Sequence, residues 1–142
     1  MNKKRARAQA LVEFAFVVPI FLGLLLLTFE AGRMVFTWSC LKEGSREAAR
    51  TAILASTTST TPVVNAALDL TSWTGVTSSN VSVAKNGSTV SGSFTKQRAD
   101  AMTVTITLTY RILIAQSLGP AWPGIPFTSL PITVQTRMRA EG

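Results

Sequence analysis

The sequence predicts an α+β chain: a long N-terminal helix, transmembrane and then amphipathic, packed by a small antiparallel sheet of three to four strands. Three observations point there. Residues 8–29 carry a single charge, Glu13, and about 20 apolar residues suffice to cross a bilayer core at ~1.5 Å of helical rise each. Residues 30–54 continue with helix formers and no proline, and Met34, Trp38, Leu41, Ala48/Ala49 and Ala52/Ile53 recur at steps of three, four or seven. Residues 102–114 then alternate, with Met102, Val104, Ile106, Leu108, Tyr110, Ile112 and Ile114 on one face and Thr103, Thr105, Thr107, Thr109 and Arg111 on the other.

The N-terminal helix divides the chain into a basic stub at 1–8, a span at 9–29, an amphipathic continuation at 30–54 and an α+β domain at 55–142. Lys3, Lys4, Arg5 and Arg7 supply more than half of the net charge of +7; beyond them ten Lys/Arg face seven Asp/Glu. A dense basic stub beside an apolar run marks a cytoplasmic anchor on anionic lipid. No aromatic residue interleaves those cations, so a nucleic-acid surface is not expected. The far flank carries Arg33, Lys42, Arg46 and Arg50, but these alternate with Glu30, Glu43 and Glu47. The N-terminus is therefore placed inside. After the apolar run, Thr28-Phe29-Glu30-Ala31-Gly32 offers no pair of small residues suited to removal of a signal on the outer side.

Within the span, Glu13 costs on the order of 2.5–3.5 kcal/mol at a helix centre and less near the interface. It either snorkels or finds a cation in the membrane plane. Pro19 lacks an N–H and frees the carbonyl of Ala15, a place for a kink that membrane helices tolerate. Gly23 and Gly32 are too far apart for a GxxxG contact. Phe36 and Trp38 lie where an outer aromatic belt falls. The pairs Glu30–Arg33, Glu43–Arg46 and Glu47–Arg50 are spaced i,i+3, and Ala48, Ala49 and Ala52 allow close approach of a domain or a partner helix.

The stem ends in a polar linker at 56–61. Thr61-Pro62 reads as an N-cap followed by proline at the first helical position. Val63, Val64, Ala67, Leu68 and Leu70 make a short amphipathic helix, with Trp73 covering its end. Val81 and Val83 alternate with serines, Asn86-Gly87 is a type I′ hairpin signal, and Val90 and Phe94 sit on the return. Residues 118–131 read as a loop rich in Gly and Pro. Residues 130–138 give a last strand with Ile132, Val134, Thr136 and Met138 inward.

Catalytic chemistry is not expected. The chain has no histidine, and Asp69 and Asp100 are its only aspartates. Cys40 is the single cysteine, so neither an internal disulfide nor a cysteine-rich zinc site can form, and no metal or cofactor is anticipated. Ser39-Cys40-Leu41-Lys42 matches S-x-x-K without the motifs that accompany it in acyl-enzymes. Asn80-Val81-Ser82 and Asn86-Gly87-Ser88 match the glycosylation sequon, a pattern common by chance.

Gln9-Ala10-Leu11-Val12-Glu13-Phe14, the proline at 19, Phe29-Glu30-Ala31-Gly32-Arg33 and Ser45-Arg46-Glu47-Ala48-Ala49-Arg50 resemble a TadE-type pseudopilin of the Tad (Flp, tight adherence) pilus machinery. The resemblance is strong over residues 7–54, and weak over the β-rich remainder with Arg137-Met138-Arg139. It implies a type IV pilin-like fold and a leader cut by a prepilin peptidase between Ala8 and Gln9, with alanine where such peptidases usually meet glycine. Glu13 would then be the fifth residue of the mature chain, able to pair in the membrane with the new amine of a neighbouring subunit. It further implies a minor pilin or pseudopilin of the bacterial inner membrane. Its N-terminus would be cytoplasmic and its domain extracytoplasmic, and its partners would be other pilins and the Tad assembly platform. The alternative is an uncleaved single-pass protein carrying an extracytoplasmic binding domain. A major filament subunit is disfavoured, since Tad-type major pilins are much shorter.

Overall fold

In the computed structural model, residues 3–54, 59–95, 100–113, 115 and 129–140 are described, with side chains from residue 9 onward. The order is helix α1 (Lys3–Leu54), helix α2 (Thr61–Thr71), two single 3-10 turns (Ser72–Thr74 and Ser78–Asn80), and strands β1 (Val81–Lys85), β2 (Ser88–Val90), β3 (Ala101–Arg111) and β4 (Ser129–Arg139). The chain divides into two compact units. One comprises Met1–Arg33 and Ile112–Thr128, the other Met34–Arg111 and Ser129–Gly142.

The second unit holds a four-stranded antiparallel sheet in the order β2-β1-β3-β4. Its inner face is the alternation read from the sequence: Met102, Val104, Ile106, Leu108 and Tyr110 of β3 and Ile132 and Val134 of β4 are buried. Each large apolar side chain removed from water there contributes ~1.5–3 kcal/mol. The C-terminal half of α1 packs on this face. Ser45 Oγ and Thr136 Oγ1 are 2.6 Å apart, and Ser45 Oγ lies 2.9 Å from the Lys42 carbonyl oxygen, so this buried hydroxyl has partners.

The buried stripe of α1 differs from the expected one. It runs through Thr37, Leu41, Gly44, Ser45, Ala48, Ala49 and Ala52, while Met34 and Trp38 stay exposed. Apart from Leu41, the buried positions of α1 are small residues. Gly44 shows why: a Cβ there would lie 2.6 Å from Thr71 Cγ2 and 3.1 Å from the Ala67 carbonyl oxygen. Only a residue without a side chain lets α1 and α2 come this close.

Helix α2 begins at Thr61, one residue earlier than expected, with Thr60 as N-cap and Pro62 in the first turn. Thr60 makes no side-chain cap. It is instead used across the chain: its N–H donates to the Gly92 carbonyl (2.7 Å) and its Oγ1 accepts from the Gly92 N–H (3.1 Å). Ser59 Oγ takes over the capping role by accepting from the Thr61 N–H at 3.3 Å. The Ser59–Ser93 bridge beside it pins the start of α2 to the segment after β2.

The hairpin signal is realised, with Asn86 (φ 49°) and Gly87 (φ 89°) both left-handed between β1 and β2. Asn86 Nδ2 donates to Asp100 Oδ1 (2.8 Å), and its Oδ1 accepts from the Ala101 N–H (2.8 Å). Lys85 Nζ stands 3.0 Å from Asp100 Oδ2, and the Asp100 carbonyl accepts from the Ala140 N–H at 3.0 Å. Asp100 thus fastens the hairpin, β3 and the end of β4 together.

One strand is shorter than its alternation. β3 stops at Arg111, paired with Ser129; Ile112 is outside the sheet, Leu113 is helical and Ile114 lies outside the described residues. A strand needs a neighbour to supply its ladder, and β4 begins at Ser129, opposite Arg111. The sequence-predicted loop at 118–131 and the linker at 56–61 fall largely outside the described residues, save Ser59, Thr60 and Thr61, and residues 129–131, which belong to β4.

Two outcomes test this packing. With nothing beside it, Gly44→Ala would stabilise a helix by ~1 kcal/mol. The contact with Thr71 and Ala67 reverses the sign to a loss of about 1–3 kcal/mol in urea unfolding of the full chain in detergent, and a gain would contradict it. Asp100→Ala should cost about 1–3 kcal/mol, against under ~1 kcal/mol for Arg46→Ala at an exposed pair. Equal effects would remove Asp100 from its fastening role.

Candidate functional site

The segment that sets this chain apart chemically is the N-terminal part of α1. Its most apolar 18-residue window has none of its residues buried within the protein. Leu11, Phe14, Phe16, Ile20, Phe21, Leu24 and Phe29 are each 60% exposed or more. In water each would forfeit most of the ~1.5–3 kcal/mol that burial supplies. A soluble core helix is excluded by that exposure. One apolar N-terminal helix is thus long enough to span a membrane.

The few polar groups along this segment are satisfied locally. Gln9 Nε2 donates to Glu13 Oε1 at 3.2 Å, one turn on. Thr28 Oγ1 donates to the Leu24 carbonyl at 2.9 Å, closing a hydroxyl that lipid could not solvate. Just past the C-terminal end of the apolar run, Arg33 and Glu30 form an ion pair of 2.6 Å. The helix runs on through Pro19. Ala8 lies within α1, next to Gln9, and the structure brings Gln9 and Glu13 together while Pro19 stands apart from them by sequence.

Farther along, the two remaining i,i+3 pairs form as expected, Arg46–Glu43 at 3.5 Å and Arg50–Glu47 at 3.7 Å, both solvent-exposed. Exposed pairs of this kind add a few tenths of a kcal/mol. The Lys42 ammonium lies 4.8 Å from the centre of the Trp38 ring. In the S-x-x-K match, therefore, the lysine amine is engaged by an aromatic face. Cys40 is half-buried with a free thiol.

The two sequon asparagines hold structural bonds. Asn80 Oδ1 accepts from the Thr77 N–H (2.9 Å) and Thr77 Oγ1 (2.7 Å), and Asn86 is committed to Asp100 and Ala101. Where β3 begins and β4 ends, an open hollow of about 500 Å³ is lined by Asn86, Ala101, Arg137, Met138 and Arg139. These lining residues include no acid. Among the described residues no group of three or more His, Cys, Asp or Glu is placed to hold a metal ion.

Sequence reasoning missed Gly44, Ser45 and Asp100. A glycine inside a strong helical pattern was the available signal for the first, because its ~1 kcal/mol cost needs a reason. Nothing in the sequence pairs Ser45 with Thr136, or Asp100 with Lys85.

Fold and site together define a class: a chain with one helix fit to cross a membrane, whose continuation packs on a four-stranded antiparallel sheet. Within that class, residues 8–50 match the family model TadE, TadE-like protein. The match covers the apolar segment and most of the α1 face that meets the domain. It is consistent with a TadE-like protein of the Tad pilus system. No curated protein and no solved structure matches the chain.

Insertion is directly testable. Leu22→Arg places a charge near the centre of the span at a cost of about 2.5–3.5 kcal/mol. The protein should then be extracted from membranes by alkaline carbonate, whereas the parent resists. Unchanged resistance would contradict the spanning assignment.

Proposed function

We propose that this protein is a minor pilin or pseudopilin of a Tad/Flp-type pilus. It is processed by a prepilin peptidase between Ala8 and Gln9 and takes part in initiation, capping or incorporation during assembly of a filament used in adherence or secretion. The role is structural and non-catalytic. The chain sits in the bacterial inner membrane with residues 1–8 cytoplasmic and its α+β domain outside, and its partners are other pilins and the assembly platform.

The observation that carries this reading is the TadE-like match over residues 8–50, which begins at the cleavage position and includes Glu13. The helix supplies a physical rationale. In α1 the N–H groups of Gln9, Ala10, Leu11 and Val12 have as partners the carbonyls four residues back, all within 5–8. Cleavage removes those acceptors. It leaves a positive helix terminus at the membrane edge, made of the new Gln9 ammonium and the three orphaned N–H donors of Ala10, Leu11 and Val12. The Glu13 carboxylate, one turn along on the face of Gln9, is the anion such a terminus requires. An adjacent subunit's Glu13 meets that need when helices stagger, which sets register more than it adds stability. Pro19 supplies a turn short of one hydrogen bond, where the helix bends as it leaves the bilayer.

Intact mass of the protein from its native membrane should correspond to a chain starting at Gln9, and a peptidase-deficient host should retain Met1–Ala8. Retention in both hosts would leave an uncleaved single-pass protein with an extracytoplasmic domain. Glu13→Gln should reduce recovery in sheared filaments without lowering the membrane-bound amount, and equal recovery would separate Glu13 from assembly.

A further inference from the structure

Just beyond the apolar run, α1 exposes large apolar residues on more than one side. Thr37 is buried, whereas Val35, Phe36 and Trp38 remain 59%, 60% and 45% exposed. At ~100° per residue, Phe36 and Trp38 lie on roughly opposite sides of the helix. On one side Trp38 is joined by Val35 and by Lys42, whose ammonium lies over the indole. On the other, Phe36 meets Trp73, from the turn after α2, with ring centres 5.3 Å apart.

Trp73 is not exposed for want of a hydrogen bond. Its Nε1–H already donates to the Leu70 carbonyl at 3.1 Å, so what remains open, together with half-exposed Leu70, is apolar. The route of α2 explains its position. Thr71 and Ala67 press on Gly44, and two residues later Trp73 reaches Phe36, eight positions nearer the N-terminus of α1. Phe36 in turn follows Phe29, the end of the apolar run, by only seven residues, about 10 Å of helical rise.

We propose that Phe36, Trp73 and Leu70, with Val35 and Trp38 across the helix, form a lipid-facing collar by which the domain rests on the headgroup layer of the outer leaflet. A single protein partner would need an apolar patch on one side. A collar of Trp and Phe around the helix, with a lysine amine beside it, suits the interfacial layer of a bilayer. The collar holds the domain down on the membrane surface before any assembly. It rests on the reading of residues 9–29 as a span.

The test uses the full chain in phosphatidylethanolamine–phosphatidylglycerol vesicles. Two single-tryptophan forms are made: Trp38→Phe with Trp122→Phe, leaving Trp73, and Trp73→Phe with Trp122→Phe, leaving Trp38. Flotation with the vesicles after carbonate treatment establishes insertion first. For both forms, loss of emission should be greater with lipids brominated near the glycerol than with lipids brominated near the chain ends, and aqueous iodide should have little effect. Strong iodide quenching without bromolipid quenching, in protein that floats, overturns the collar and leaves the span intact. Shielding that depends on the protein-to-lipid ratio assigns the patch to a second copy and overturns it equally. Failure to float overturns the spanning reading itself.

Discussion

The close approach at Gly44 is the constraint on which the rest of the described domain depends. With no side chain there, α2 crosses α1 at a separation that a Cβ would forbid, and Ala48, Ala49 and Ala52 are fully buried along the following turns. Leu41, Ser45 and Thr37 complete one continuous buried face. The sheet can then bury Met102, Val104, Ile106 and Val134 against a helix, which a small isolated sheet could not do. An alanine-rich helical face is ambiguous in sequence between a domain and a partner helix. Here the chain's own domain occupies it.

What could be read in advance follows a physical division. Signals fixed by local geometry were legible: the Asn86-Gly87 turn, the alternation along β3 and β4, and the three i,i+3 ion pairs. Each depends only on the period of its own element. What needed knowledge of a neighbour was not. Met34 and Trp38 fit the helical period as well as Thr37 and Ser45 do, and size argued for them, but Thr37 and Ser45 are the buried ones, and at Gly44 the approach of α2 leaves no room for a Cβ. The alternation read from the sequence continued through Ile112, beyond Arg111, where β3 ends. Asp100 looked like one of two scattered aspartates until the fold set it against Lys85 and Asn86.

The candidate site was more legible than the domain, because one solvent requirement governs it. An apolar run with exposed side chains in every direction asks for lipid, and its polar members stand out because each needs a local partner. Gln9 and Glu13 share a face by simple i,i+4 spacing. The position of Trp73 against Phe36 was beyond sequence reasoning, since it depends on how α2 crosses α1.

Helix α1 therefore carries two surfaces, an apolar one exposed in its first part and fit to cross a membrane, and one buried against the chain's own sheet and second helix in its last. Hydrogen–deuterium exchange of the full chain in lipid nanodiscs tests this most directly. Amides from Gln9 to Leu54 should exchange slowly as a single protected stretch, with those of Ser45, Ala48 and Ala52 among the slowest outside the bilayer. Fast exchange between Phe29 and Thr37, or an unprotected segment around Ser45, would contradict the account.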